Sequence, residues 1–257
     1  MQLADPLAQA WKAELRLGFA AENGRTVLRE RRSEGPLVVQ KPLYPDGESI
    51  CHAIVVHPPG GIAGGDQLAL DARTARGAHA LLTTPGAGKW YRSAGPWASQ
   101  TLSFDVEGTL EWLPRETIVF DGALCSLRST INLGEAARFI GWEIVCLGRG
   151  DGFRRGRLKM DTRVQRGGKL LFVEKGEIEG GGRLLDSRAG LGGRRVFGTF
   201  LATCDKKISV EGITTTLLPG LLVGRYLGDS SEEALLAFAR LWKALRPTAV
   251  EPRIWST

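Results

Sequence analysis

The chain has 257 residues, a formal net charge of +6, 43% hydrophobic residues and 24% charged residues. This composition is that of a soluble globular protein and argues against a disordered chain, and no apolar run reaches the roughly 20 residues that a membrane-spanning helix needs. We therefore expect a single domain over residues 1–257 with no membrane partner. Because the N-terminus lacks the pattern of a secretory signal, we also expect a cytoplasmic location.

The positive charge is spread along the chain, with arginine clusters at residues 29–32, 154–157 and 194–195. Such clusters could contact nucleic-acid phosphates or an acidic protein. No aromatic motif of the RNA-recognition type accompanies them, and we interpret them mainly as solvated loop charge. A basic β-sheet module that binds nucleic acid is kept as a rival hypothesis, but we predict no nucleic-acid partner.

Short runs of β-type alternation, separated by Gly, Pro and Asp, extend from about residue 11 to about residue 227. The run at 138–147 is almost continuously apolar, which is typical of a strand covered on both faces. No internal sequence repeat is evident. The sequence therefore predicts a mainly β protein, with strands at residues 50–56, 78–84, 109–113, 138–147, 169–174 and 196–204.

The periodicity changes near the C-terminus, where a helix is predicted at about 231–246. Ser230 precedes a run with glutamate three residues later, which is the spacing of a capping box. Apolar residues then recur at helical spacing from Leu235 to Leu245, and Pro247 ends the pattern. We expect the apolar face of this helix to pack on a sheet.

The most distinctive segment is residues 57–66, a loop that begins with histidine and two prolines and closes on Asp66. Proline restricts φ, and glycine adopts positive φ without strain, so this composition predicts a tightly shaped backbone. Its glycines are Gly60, Gly61, Gly64 and Gly65.

Common catalytic and metal-binding motifs are absent. Residues 85–90 resemble a phosphate-binding loop, but Thr83 and Trp90 stand where that motif needs a glycine and a hydroxyl residue. The chain has only three histidines, and its four cysteines lack the spacing of a zinc site. We therefore predict no tightly bound cofactor.

Acidic residues offer the remaining chemistry. Glu116 and Asp121 could act as an acid/base pair, which would make the chain a carboxylate-dependent β-rich hydrolase. Ion pairing or turn capping is the structural alternative for both residues. A second acidic group, at residues 174–179, could give only passing coordination to a divalent cation, because no strong ligand spacing is present.

Together, five ordered segments resemble the UreD family of urease accessory proteins, called UreH in some organisms. The resemblance covers most of the chain. The segments that carry it are residues 57–66, 83–93, 111–122, 141–149 and 252–257.

This resemblance implies two stacked β-sheet layers with β-helix-like winding and a small helical element near the C-terminus. It also implies a non-enzymatic scaffold, or chaperone, in nickel metallocentre assembly. Family members bind the accessory protein UreF, through it the GTPase UreG, and then the urease apoprotein. The assembly is thought to pass nickel to the urease active site along an internal path lined by polar and acidic side chains.

Carried onto this chain, the resemblance suggests which residues lie near that path. Asp66 and Glu174 are the expected transient nickel contacts, and replacing either with alanine should lower urease activation without loss of folding. The other expected positions are the four glycines of the 57–66 loop together with Thr84, Pro85, Lys89, Glu116 and Asp121.

Overall fold

The computed structural model describes residues 10–150 and 152–256, and the predicted mainly β fold is confirmed. The predictions for residues 1–9, including the absence of a secretory signal, lie outside the described residues. In chain order, the strands are β1 (Lys12–Glu22), β2 (Arg25–Glu34), β3 (Val38–Val39), β4 (Ile50–Val56), β5 (Gln67–Thr74), β6 (His79–Thr83), β7 (Gly88–Trp90), β8 (Ala98–Val106), β9 (Thr109–Leu113), β10 (Thr117–Val119), β11 (Leu124–Leu133), β12 (Arg138–Leu147), β13 (Arg157–Arg166), β14 (Lys169–Glu179), β15 (Val196–Ala202), β16 (Thr214–Leu218) and β17 (Leu221–Gly228).

The strands form two sheets. A seven-stranded sheet has the order β14-β13-β11-β8-β5-β1-β2. A ten-stranded sheet has the order β16-β17-β15-β12-β9-β6-β4-β3, with the short strands β7 and β10 attached beside β12. The predicted strands at 50–56, 109–113 and 138–147 match β4, β9 and β12.

The chain winds repeatedly from one sheet to the other, as the expected β-helix-like winding requires. β4, β6, β9 and β12 are parallel neighbours, and each is followed by one of the parallel strands β5, β8, β11 and β13. Residues 50, 79, 109 and 138 lie side by side at the start of successive turns of this winding. The expected winding is therefore confirmed as a repeat of the backbone path, which no repeat of the amino-acid sequence accompanies.

The winding gives the molecule two different ends. We call the end formed by residues 57–66, 84–87, 91–97, 120–123, 148–150 and 152–156 the loop end. Short turns at residues 75–78, 107–108, 134–137 and 167–168 form the opposite end, which we call the turn end. The winding between β4 and β13 therefore places its longer loops together at one end.

The core has two apolar layers. Phe104, Leu110 and Phe139 belong to the layer between the sheets. On the other face of the ten-stranded sheet, Trp142 and Phe200 pack against a C-terminal helix. Phe139 and Trp142 both come from β12, so the prediction that this strand is covered on both faces is confirmed.

The helices are α1 (Arg183–Asp186), α2 (Ser231–Leu245) and a final 3-10 turn at Arg253–Ser256. Helix α2 confirms the predicted helix, and the side chain of Ser230 accepts a hydrogen bond from the backbone N–H of Glu233 at 3.2 Å. Within the described residues, no helix is long and apolar enough to cross a membrane.

Candidate functional site: a cavity between the sheets

A cavity of about 300 Å³ lies between the two sheets and extends to the loop end. Residues from four of the five segments that carry the family resemblance line it. The lining includes His57, Gly60, Gly61 and Ile62 from the first segment, residues 84–89 from the second, Trp112, Pro114, Arg115 and Thr117 from the third, and Glu143 from the fourth. Five of the predicted site residues, namely Gly60, Gly61, Thr84, Pro85 and Lys89, are therefore brought together here.

The 57–66 loop has the shaped backbone that its composition predicts. Gly65 has a φ of 97°, a conformation that favours glycine. Gly61 is needed for a different reason, because a Cβ atom at that position would lie 2.1 Å from the ring of Tyr91. The loop thus packs directly on the segment that follows β7.

Asp66 closes this loop through two backbone hydrogen bonds. Its Oδ1 accepts from the N–H of Trp11 at 2.8 Å, and its Oδ2 accepts from the N–H of Ala63 at 2.7 Å. The residue is buried but does not line the cavity. Both oxygens therefore stabilise the backbone at the start of β5, and the nickel contact at Asp66 stays a prediction.

Glu143 is the carboxyl group of the cavity. It lies on β12 on the face directed between the sheets, and its Oε1 accepts a hydrogen bond from Thr117 Oγ1 at 2.5 Å. Burial raises the pKa of Glu143 to about 7, although the Thr117 hydrogen bond opposes this shift. The protonated form of Glu143 is therefore favoured up to near neutral pH.

Two buried nitrogen atoms beside the cavity have no hydrogen-bond partner among the described residues: His57 Nε2 and Trp112 Nε1. Burial lowers the pKa of His57, while the nearby Asp66 carboxylate opposes that shift. Neutral His57 therefore offers a lone pair, depending on its tautomer, and Trp112 offers only a donor. The cavity combines this carboxyl group and these unsatisfied nitrogen atoms with the cationic side chains of Lys89 and Arg115 and with apolar side chains.

A row of polar side chains continues from this cavity toward Glu174. Glu143 is paired in register with Thr199 of β15, and Thr199 is paired with Arg225 of β17. From the opposite sheet, Glu174 accepts hydrogen bonds from Thr199 Oγ1 at 3.0 Å and from the Arg225 guanidinium. Glu174 does not line the cavity itself, but a polar row links it to Glu143.

Glu116 and Asp121 do not form a free acid/base pair. Glu116 pairs with Arg115 at 3.7 Å. Asp121 Oδ1 accepts from the backbone N–H groups of Arg154 and Arg155, both at 2.7 Å. The N–H of Arg155, with smaller contributions from the N–H of Arg154 and the Arg155 guanidinium, lowers the pKa of Asp121. This arrangement is the ion pairing and turn capping considered as the structural alternative to hydrolase chemistry.

No strong metal site is formed within the described part of the chain, where no three His, Cys, Asp or Glu side chains are grouped to hold an ion. The transient nickel path stays a prediction. Glu143 was not among the predicted site residues, although it lies in one of the five segments. A single charged residue inside the apolar run at 138–147 was the sequence signal that could have identified it.

Comparison with known proteins adds a family assignment to this geometry. The model of the UreD urease accessory protein family matches residues 12–256. A relative named urease accessory protein UreD from Dechloromonas aromatica is 50% identical, over 96% of this chain and 95% of the relative. Proteins with the same name from Azoarcus sp. and Pseudomonas fluorescens are 48% and 45% identical, each over 96% of this chain and over 94% and 96% of their own lengths.

Proposed function

The chain belongs to the UreD family of urease accessory proteins, and from this premise we propose that it is a non-catalytic scaffold that helps deliver nickel to the urease active site. The proposed partners are the urease apoprotein and the accessory proteins UreF and UreG. The proposed cargo is a nickel ion that binds only transiently.

The observation that supports this proposal best is the carboxyl group of Glu143 inside the inter-sheet cavity. Desolvation inside the cavity makes the charge of the Glu143 carboxylate costly, and it therefore favours the protonated form. A divalent cation that enters the cavity would stabilise the carboxylate and displace the proton. The unpartnered Nε2 of His57 is an imidazole nitrogen, and this second type of ligand suits a transition metal.

The same site is suited to release as well as to binding. Structural metal sites use a closed set of several protein ligands, and such a set would retain the ion. Here Glu143 comes from β12 and His57 from the 57–66 loop, and the row through Thr199 leads to Glu174 in the opposite sheet. Successive weak contacts of this kind would let an ion move through the protein.

The test is deletion of the gene in a urease-positive host, followed by measurement of urease activity and of nickel per purified urease. We expect the urease protein to be made without nickel and activity, and the wild-type gene to restore both. Restoration with Glu143→Gln, which removes the charge with little change in shape, should give clearly less nickel. Its matched control is Glu177→Gln, because Glu177 is exposed and pairs with Arg157 on the outer surface.

Full nickel loading without the gene would overturn the proposed role. Full loading with Glu143→Gln would overturn only the role of the cavity. Because Glu143→Gln could also weaken folding, the amount of soluble variant and its thermal unfolding are measured in parallel.

A further inference from the structure

The loop end presents a preformed aromatic surface. The ring of Tyr91 stacks on that of Phe120, with centroids 5.2 Å apart and planes 11° from parallel. Tyr91 is nevertheless 46% exposed. Gly61 also packs against the Tyr91 ring, and a Cβ atom at position 61 would collide with that ring. The ring is therefore held in place by its neighbours while much of its surface faces solvent.

The close contacts around this aromatic pair extend over three loops. Gly64 approaches Ser93 so closely that a Cβ atom would lie 2.3 Å from the Ser93 hydroxyl. Gly122 lies against the aliphatic part of the Arg92 side chain. The surface thus combines the 57–66 loop, the segment after β7 and the segment after β10. A rigid aromatic and arginine surface of this kind is typical of protein interfaces, because little side-chain entropy is lost on binding.

The charges around the aromatic pair are unbalanced. Arg92, Arg154 and Lys159 are exposed and have no carboxylate partner among the described residues. Lys159 lies 4.2 Å from the ring centre of Trp97, which widens the aromatic surface. The two nearby carboxylates, Glu116 and Asp121, are already paired with Arg115 and Arg155. An acidic partner would supply the missing negative charge.

We propose that the loop end is a docking surface for a protein whose contact face carries carboxylates around an apolar centre. Tyr91 and Phe120 fill the apolar centre, and Arg92, Arg154 and Lys159 meet the carboxylates. Gly60, Pro85 and Gly86 are exposed at this end and also line the cavity. The docked protein would therefore cover the opening of the cavity, so an ion could pass between the proteins without release to solvent. This last step rests on the function proposed above.

The experiment uses the deletion host, complemented with affinity-tagged wild-type protein or variants. The variants are Arg92→Glu and Tyr91→Ala, with Arg92→Lys as the conservative replacement. Arg76→Glu is the matched control, because this side chain is 90% exposed at the turn end. The urease subunits and accessory proteins that co-purify are identified and quantified at several salt concentrations, and urease activity is measured in the same cells.

We expect Arg92→Glu and Tyr91→Ala to weaken retention of one partner at least about tenfold, which is the loss expected at the centre of an interface. Arg92→Lys should retain most binding, Arg76→Glu should bind as wild type, and wild-type binding should weaken with salt. Wild-type retention by Arg92→Glu at every salt concentration would overturn the proposal. If Tyr91→Ala alters thermal unfolding, Arg92→Glu decides the outcome, because that side chain is exposed.

The two proposals fail in different ways. Active, nickel-loaded urease in the deletion host would overturn the function in urease maturation, whatever the variants bind. Rescue of urease by wild type and by Arg92→Glu alike, with equal partner retention, would overturn the docking surface alone.

Discussion

At the scale of single residues, Glu143 shows how burial alters the chemistry of a common side chain. Its strand neighbours are apolar, and its carboxyl group has one hydrogen-bond donor, Thr117. Burial raises its pKa well above the usual value of a glutamate, to about 7. The charge of the cavity therefore changes with pH near neutrality, and the state of one residue affects which ions the cavity can accept.

This shift predicts a pH dependence of stability. The folded protein holds the Glu143 proton more tightly than the unfolded chain does, so its contribution to the free energy of unfolding is present at low pH and lost as pH rises toward 7. From about pH 4 to about pH 8 the loss should be about 3 kcal/mol relative to Glu143→Gln. Urea unfolding of both proteins across this range measures it.

Glu177→Gln is the control for this measurement, and it should follow the wild-type profile because Glu177 is exposed. Parallel profiles for wild type and Glu143→Gln would contradict the raised pKa. Added nickel should stabilise the wild-type protein more at pH 8 than at pH 5, if the cation takes the place of the proton.

Asp66 illustrates the opposite case, because both oxygens of its carboxylate already have hydrogen-bond partners. Its two oxygens accept backbone hydrogen bonds from Trp11 and Ala63. The sequence analysis expected Asp66→Ala to leave folding intact. From these contacts we expect it instead to lower the free energy of unfolding by about 2–4 kcal/mol, because two hydrogen bonds to a charged group are lost.

Denaturant unfolding of Asp66→Ala, with Asp71→Ala as the control, checks this expectation. Asp71 lies on the following strand with a side chain that is 43% exposed, and its replacement should change stability by about 0.5 kcal/mol or less. Wild-type stability of Asp66→Ala combined with poor urease activation would favour the transient nickel contact that was first predicted.

At the scale of elements, an ionic cluster fastens helix α2 to the ten-stranded sheet. Arg246, which follows α2, donates to Glu111 Oε1 at 2.6 Å and also to Asp46. Trp242 Nε1 donates to Glu111 Oε2 at 2.5 Å, and His79 Nε2 lies 2.5 Å from Glu111 Oε1. Glu111 is completely buried, so its carboxylate oxygens find their hydrogen-bond partners in these side chains.

Asp46 ties the segment after α2 to the same cluster. It pairs with His52 at 2.9 Å and accepts from the N–H of Val250 at 2.6 Å. Burial by itself would raise the pKa of Asp46, but the hydrogen bonds from His52, Val250 and Arg246 outweigh it and lower the pKa. The cluster therefore connects three separate parts of the chain through one arginine.

Replacing Arg246 with methionine should destabilise the protein by about 3–5 kcal/mol, because two buried carboxylates lose their shared cation. Arg240→Met is the matched control, since Arg240 lies exposed on the same helix. Chemical unfolding of both variants measures the difference. Equal stabilities would show that the ionic cluster contributes little to the attachment of α2.

At the scale of the whole molecule, the winding places loops from distant parts of the sequence at one end. The segments at 57–66, 91–97, 120–123 and 148–156 each connect a strand of the ten-stranded sheet to one of the seven-stranded sheet. Their arrangement joins the cavity opening to the exposed Tyr91 ring. The proposed nickel-binding cavity and the proposed docking surface therefore both result from this winding of the chain.

The sequence by itself determined the local structure. The almost continuously apolar run at 138–147 specified β12, and the run after Ser230 specified α2, because both patterns depend on residues only a few positions apart. The composition of the 57–66 loop likewise indicated its shaped backbone. The family resemblance, carried by five ordered segments, supplied the layered fold and the urease accessory role.

Only the tertiary structure decided which side chains meet. The carboxylate of Asp66 accepts a hydrogen bond from the N–H of Trp11, 55 positions away, and Glu143 lies in register with Thr199, which donates to Glu174 of another sheet. Such partners depend on strand order and register, which local periodicity does not determine. For the same reason, Asp66 and Glu174, predicted together, lie in different surroundings, and the carboxyl group that lines the cavity is that of Glu143, which was not predicted.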